Sequence, residues 1–344
     1  MEFKCFYSWN QLPDSAESIF ASAAQNSMFF SRVWFETLSA NALQNDESIL
    51  LACVIEADSV LAILPLKQGL NNDWYSLGHL YSWLYTPLLQ QQASDEVLKC
   101  LAQGIEKSSC RSLRLEPVAE DDQNILKLQT ELEAAGFYCN RQYRFYNWFH
   151  PVIENTIDEY MSARPSRVKN TIARKQRKLA REHDVQFRLF SDEDIATGLT
   201  DYNRVYQSSW KAKELFDGLV ESLVMNFAHQ GWLRLGVLYI DQQPAAAQLW
   251  FVVHAKANIF KLAYDESWKQ YSPGSILIRQ MMEYVIETDG VEEIDFLMGN
   301  DAYKQDWMTE RRERWGLYCG RQQKAEKGAS GLLGFLKGIF QHIN

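Results

Sequence analysis

Tyr271-Ser272-Pro273-Gly274 stands directly before an apolar run of helical period, Ser275–Glu287. Ser suits a helix cap, and Pro suits the first helical position because its missing N–H would lack a partner there anyway. Gly274 lets a ligand approach the backbone. The N–H groups of Gly274, Ser275 and Ile276 would then face outward at a helix N-terminus, an arrangement that binds phosphate. An ordinary capped helix would use the same residues. Asp295 lies in the short strand-like run Glu293–Leu297, where alternation turns its carboxylate away from Ile294 and Phe296. It reads as a base or orienting group for an amine, or as the partner of a nearby cation. The third feature is a basic block. Arg164, Arg167, Lys169, Arg174, Lys175, Arg177, Lys178 and Arg181 fall between Met161 and Arg181 with no acid among them.

Much other chemistry is excluded. The chain has 344 residues and a net charge of -9; removing the eight basic charges of the block leaves -17 on the remainder. Such an acidic protein disfavours general nucleic-acid binding outside that block. The few histidines are not spaced as metal ligands, so no metal site is expected. There is no Gly-x-Ser-x-Gly elbow, Walker loop or Rossmann glycine fingerprint. No apolar run approaches the roughly 18 residues of a membrane span. The N-terminus shows no basic segment followed by an apolar stretch, so a cytoplasmic protein is expected. Its six cysteines are scattered, with no C-x-x-C pair, which predicts reduced thiols.

The elements that must position these residues occur twice. In the second half, strands are predicted at His183–Phe190, Trp232–Ile240, Ala245–His254 and Ala257–Tyr264, with Asp241–Pro244 as a hairpin turn. Ser191–Asp194 opens a helical region reaching about Trp210, and another helix is expected over Leu215–His229. Ser275–Glu287 is helical, and Asp289-Gly290 ends it. In the first half, Glu47–Ile55 and Ser59–Lys67 form a hairpin about Glu56–Asp58. A helix, Asp95–Lys107, and a strand, Arg111–Glu116, follow it. Asp58 to Asp241 is a shift of 183 residues and Leu113 to Ile294 one of 181. Order and spacing agree, which argues for a diverged duplication. Between the copies the basic block lacks a helix breaker from Pro165 onward. It predicts a mostly solvated connecting helix or a clamp for anions, such as substrate phosphates, lipid headgroups or RNA.

These residues carry a resemblance. The second half is similar to the GNAT acyltransferases, and the whole chain resembles their FemAB-like tandem branch, the BioF2-like (CelD-type) acetyltransferases. The matching segments are Val60–Lys67, the basic Ser166–Arg181, Tyr264-Asp265, Tyr271–Gly274, and Ile294–Gly299 followed by Tyr303-Lys304. The resemblance implies an α+β fold with a mixed α/β sheet. Its parts would be an N-terminal GNAT-like domain (1–155), a basic connecting helix (156–182), a C-terminal catalytic domain (183–325) and an amphipathic tail (326–344). The family's Gln/Arg-x-x-Gly-x-Gly/Ala loop is altered here, with Tyr271 at the Gln/Arg position and Ile276 at the second Gly/Ala.

The resemblance implies transfer of an acyl group, in the first instance acetyl from acyl-coenzyme A, to an amine acceptor. That acceptor would be a small molecule or a cell-envelope or polysaccharide precursor. Ser272, Gly274, Ser275 and Ile276 would hold the donor. Asp295 and Lys304 would act on the acceptor side, a Lys304 cation answering the oxyanion or a phosphate, and Tyr271 or Tyr303 would protonate the leaving group. A backbone N–H near Lys261–Tyr264 would polarise the acyl carbonyl. Arg167, Lys169, Arg174 and Arg177 would grip an anionic acceptor. Two rivals are an aminoacyl-tRNA-dependent peptide-bridge ligase and a non-catalytic module for an anionic glycan or lipid precursor. The apolar face Leu332, Phe335, Leu336, Ile339 and Phe340 of the tail suggests packing on the protein's own domain or a dimer partner, or contact with a membrane surface.

Overall fold

The structure is a computed structural model that describes residues 1–321 apart from Gln92 and Asp217. The tail, with its expected amphipathic face, lies outside the described residues. The first half runs β1 (Glu2–Phe6), α1 (Ala16–Ala24), α2 (Arg32–Asn41), β2 (Ser48–Glu56), β3 (Ser59–Gln68), β4 (Asp73–Ser76), β5 (Leu88–Leu89), α3 (Asp95–Lys107), β6 (Ser112–Ala119), α4 (Gln123–Ala134) and β7 (Phe137–Pro151). Helices α5 (Ile157–Ser162) and α6 (Ser166–Glu182) connect the halves. The second half runs β8 (Val185–Phe190), α7 (Ile195–Gln207), α8 (Leu219–His229), β9 (Leu233–Ile240), β10 (Gln243–Val253), β11 (Lys256–Tyr264), α9 (Pro273–Glu287), β12 (Glu293–Met298), α10 (Lys304–Trp307) and β13 (Glu310–Arg321).

The two halves repeat one another, and their equivalent hairpins have equivalent turns. Ala57-Asp58 and Asp241-Gln242 are both pairs of consecutive residues at positive φ. Two such residues match the right-handed twist of the strands they join. The expected four-residue turn is therefore shorter: Pro244 belongs to β10, whose register with β9 shifts between Pro244 and Ala246. A proline cannot donate to the ladder, and the irregularity absorbs the loss. Similarly, α8 begins at Leu219 after Gly218 at φ 84, and α7 ends at Gln207. The stretch 208–216, expected to be helical at either end, is a loop that carries part of the site.

All strands join one mixed sheet, in the order β1-β2-β3-β4-β6-β13-β7-β12-β11-β10-β9-β8, with β5 on β3. Among the described residues only β4 with β6 and β11 with β12 pair in parallel. The centre is an exchange: β13, last in the chain, lies against β6 of the first half, while β7 lies against β12 of the second. Their mutual register puts Cys139 opposite Cys319, and these two are joined by a disulfide. The expectation of six reduced thiols is thus corrected at one pair. The partners are 180 residues apart, and only strand exchange brings them face to face. The equivalent helices α2 and α8 also pack together, Asn226 donating to Thr37 at 2.8 Å and Trp34 facing Phe227. Apolar side chains fill both faces; around Trp250, Leu277 and Met281 a core lies under α5, α6 and α9. Among the described residues no helix is long and apolar enough to cross a membrane.

One polar network lies in this central sheet. The Asn147 amide donates to Asp295 (2.5 Å) and to the Leu297 carbonyl (3.1 Å). Its oxygen accepts from Arg312 and Arg314, both at 3.0 Å. Arg312 also bonds Glu293 at 2.8 Å and Asp295 at 2.5 Å. Burial, with the Arg312 cation beside it, pushes Arg314 down to about 10. Removing one charge from such a network strands its partners. Arg312→Met is expected to destabilise the protein by roughly 3–5 kcal/mol in urea unfolding. Arg311→Met, which loses an exposed stack on Tyr146, should cost about 1 kcal/mol or less. Equal losses from both substitutions would refute the assignment.

Candidate functional site

A cleft opens where β11 and β12 part. Their parallel register covers Lys256 to Asn258 against Glu293 to Asp295 and then stops. β11 continues to Tyr264 with β10 on one side and no strand on the other. That free edge offers unpaired backbone groups to a ligand. β12 leaves because Leu297 sits at φ 57, a conformation unfavourable to a branched side chain. The bulge is braced on both sides. Asp295 accepts from the Leu297 N–H at 2.6 Å and Asn147 holds the Leu297 carbonyl. Lys304 donates to the carbonyls of Phe296 (3.1 Å) and Met298.

These contacts revise two expected roles. Asp295 is buried with both oxygens bound, so it holds the sheet and does not face an amine. Of the two readings of this carboxylate, pairing with a cation is the one observed. Lys304 is buried too, and burial lowers its ammonium from the ordinary lysine value. Its donors serve β12 carbonyls, with Asp301 at 3.6 Å. Beside it Tyr303 remains 40% exposed, its ring edge-on to Phe296. Desolvation raises the Tyr303 hydroxyl above the ordinary tyrosine value.

On the other arm, the β10–β11 register jumps from Leu249↔Lys261 to Trp250↔Ile259. The extra residue turns Phe260 and Lys261 toward the same side. Phe260 packs on Tyr81 and Phe251. Lys261 donates to Tyr81 (2.7 Å) and to Glu214, and Tyr81 also donates to Glu214. Burial lowers the Lys261 ammonium, while Glu214 works in the opposite direction. Burial acts to raise Glu214, but its bonds from Lys261 and Tyr81 outweigh this and hold it below the usual carboxylate value. Burial, reinforced by Lys67, also keeps His79 neutral, pushing it down to about 4. Tyr81 belongs to the first half and Glu214 to the 208–216 loop. The site is therefore a junction of both halves. Sequence reasoning missed Tyr81 and Glu214, which lie in no motif. The available signal was Lys261, a lone cation within the apolar run Ile259–Ala263.

At the end of β11, Ser272 takes a left-handed conformation before α9, and its side chain caps nothing. The expected side-chain cap is corrected: the Ser272 carbonyl instead accepts from Ser275 (3.1 Å) and Ile276 (3.2 Å). Of the three N–H groups expected to point outward, only that of Gly274 has no partner among the described residues. The Ile276 side chain is in the core. A Cβ on Gly274 would lie 3.2 Å from the Tyr264 ring, and Trp210 covers that ring at 4.6 Å. Tyr271 is directed elsewhere. Its hydroxyl donates to Glu182 at 2.9 Å and meets His183 at 3.1 Å, so it does not serve as the acid. Glu182 beside it raises the hydroxyl.

The basic block forms α6, with Ile172 and Leu179 buried. It differs from a freely solvated helix. Arg164, just before it, is buried and donates to the Trp307 carbonyl at 2.7 Å. Arg167 pairs with Asp306 of α10 at 2.6 Å, and Lys169 donates to the Ser162 carbonyl at 2.7 Å. Arg177 folds back onto the Ala173 carbonyl at 3.1 Å. At the other end Lys175 donates to the Gln270 carbonyl and Lys178 covers Tyr271. The helix thus spans from the element after β12 to the turn before α9, across the C-terminal ends of both arms. Exposed Arg174 has no ion pair among the described residues. No group of three His, Cys, Asp or Glu among them could hold a metal.

Comparison with known proteins agrees with this geometry. The sequence profile of the acetyltransferase (GNAT) domain matches residues 166–305. Among curated protein sequences, none matches the chain. FemX is similar in structure with a TM-score of 0.62 at 12% identity, over 92% of this chain and 96% of that one. The C-terminal domain of a protein assigned as lysylphosphatidylglycerol synthetase from Agrobacterium fabrum gives 0.55 at 11%, over 95% and 96%. A conserved protein of unknown function from Bacteroides thetaiotaomicron gives 0.51 at 11%, over 90% and 93%. At these identities the likeness is one of fold.

Two outcomes test the site. Gly274→Val should weaken acetyl-coenzyme A binding by about tenfold or more in calorimetric titration, because it covers a free N–H, while circular dichroism stays unchanged. A double-mutant cycle of Lys261→Met and Glu214→Gln in urea unfolding should give a coupling of about 1–3 kcal/mol. Strict additivity would show that the pair does not hold the loop to β11.

Proposed function

We propose that this chain, which carries a GNAT-type acyltransferase domain, moves an acyl group, in the first instance acetyl, from coenzyme A to an amine acceptor. The observation that carries this reading is the free edge of β11 beside the unbonded Gly274 N–H. One feature suits a carbonyl oxygen, the other a phosphate, and Lys175 and Lys178 lie at the turn before Gly274. When bound, the thioester supplies an activated acyl carbon. N–H groups of the Lys261–Tyr264 edge would orient its oxygen. The attacking nitrogen forms its bond to carbon as the carbon–sulfur bond breaks, and the nitrogen gives up a proton to solvent. The Tyr303 hydroxyl, like any phenol protonated at neutral pH, is assigned proton delivery to the departing sulfur. Lys304 acts as a positioning residue by fixing the β12 bulge next to Tyr303.

In this reading exposed Arg174 faces an anionic acceptor, a small molecule or an envelope precursor. The reaction in this reading takes place in the cytoplasm. The test incubates the full chain with acetyl-coenzyme A and a panel of amino sugars, amino acids and diamines. Free thiol should appear in equal amount with an acetylated amine detected by mass spectrometry. Consumption of aminoacyl-tRNA with no use of acetyl-coenzyme A would replace the donor, and neither reaction would leave a binding module. Tyr303→Phe is expected to lower turnover by roughly 100-fold or more with little change in donor affinity. Unaltered turnover would remove Tyr303 from the reaction.

A further inference from the structure

The 208–216 loop is held along the open half of β11. The Ser208 carbonyl accepts from Glu266 at 3.4 Å, and Trp210 stacks on Tyr264. The Ala212 carbonyl accepts from Tyr206 at 2.9 Å, and Glu214 takes the ammonium of Lys261. Lys211 therefore sits between a residue stacked at the donor end and one fixed at the β11 bulge. Its ammonium lies within electrostatic reach of Lys261, on one arm of the cleft, and of Lys304, on the other.

Among the described residues the charges around Lys211 do not balance. The acids acting on it are Glu214 and Asp301, and both are bound elsewhere: Glu214 to Lys261 and Tyr81, Asp301 to Lys304. Lys211 makes no ion pair among the described residues. Burial, with Lys261 next in effect, pushes it down to about 8. A desolvated cation without a partner, beside two further lysines, is costly until an anion arrives. The basic helix does not supply one, and the nearest aromatic face, Trp210 at 5.9 Å, is a weak substitute.

We propose that Lys211, flanked by Lys261 and Lys304, binds a carboxylate or phosphate that the amine acceptor carries close to its reacting nitrogen. The acceptor class is then an amino acid or a phosphorylated amine. Identifying the anion's carrier rests on the acyl-transfer reading above; the anion site itself does not.

The test is competitive labelling of the full chain with trace acetic anhydride, read by peptide mass spectrometry. Lys211 is compared with exposed Lys99 in sodium chloride, sodium acetate or sodium phosphate at matched ionic strength. Acetate or phosphate should lower Lys211 labelling several-fold relative to chloride, with Lys99 unchanged. Protection by acetate alone assigns a carboxylate, and protection by phosphate alone a phosphoryl group. No protection beyond chloride overturns the site. In calorimetric titration, Lys211→Met should bind the protecting anion roughly 10- to 100-fold more weakly, the worth of a charged hydrogen bond; unchanged affinity also overturns it. Neither readout needs turnover. Failure of acyl transfer with protection intact would reject the function and keep the site.

Discussion

The bulge at Leu297 is the constraint on which the site depends. A parallel pair such as β11 and β12 has every reason to continue, since each further residue adds hydrogen bonds to both strands. It ends because one residue of β12 is held at positive φ by bonds from both sides: Asp295 and Asn147 on Leu297 itself, Lys304 on the carbonyls either side. Three buried polar side chains thus maintain a local conformation that Leu297 alone would not keep. The result is a strand edge inside the sheet, where backbone groups can bind a ligand without exposing an outer edge. The residues most easily taken for catalysts are its braces.

The exchange of β7 and β13 gives this bulge its surroundings. Asn147 comes from β7, and Arg312 and Arg314 come from β13. Without exchange these groups would not meet Asp295. The same crossing ties the halves through Cys139 and Cys319. It accompanies the close approach of the two halves in which Tyr81 of the first reaches Lys261 of the second. The duplicated halves therefore act as parts of one site, the second providing the cleft and the first one wall of it.

Charge is distributed by the same logic. Most cations of α6 are spent locally, on carbonyls and on Asp306, so the helix is anchored across the cleft rather than left as a free polycation. Among the described residues the cleft below keeps a surplus of positive charge within a protein of net -9. An acidic exterior repels nonspecific anions, whereas a desolvated ammonium retains its attraction because water screens it poorly.

The sequence by itself determined the elements and their repetition. Turn residues such as Asp58 and Asp241, the helix run Asp95–Lys107 and the apolar strands are local signals, legible because strand and helix periods and turn chemistry act over a few residues. The Ser272-Pro273-Gly274 helix start was legible for the same reason. What each polar side chain does was decided by tertiary structure. Asp295 has the same neighbours in sequence whether it meets an amine or an arginine; strand exchange brought it Arg312 from β13 and Asn147 from β7. Tyr81, Glu214 and Lys261 are scattered across 180 residues and become a cluster only at the junction of the halves. Hydrogen bonds and burial are properties of position in space, so two residues far apart in the chain carry no mark of their meeting until the sheet is closed between them.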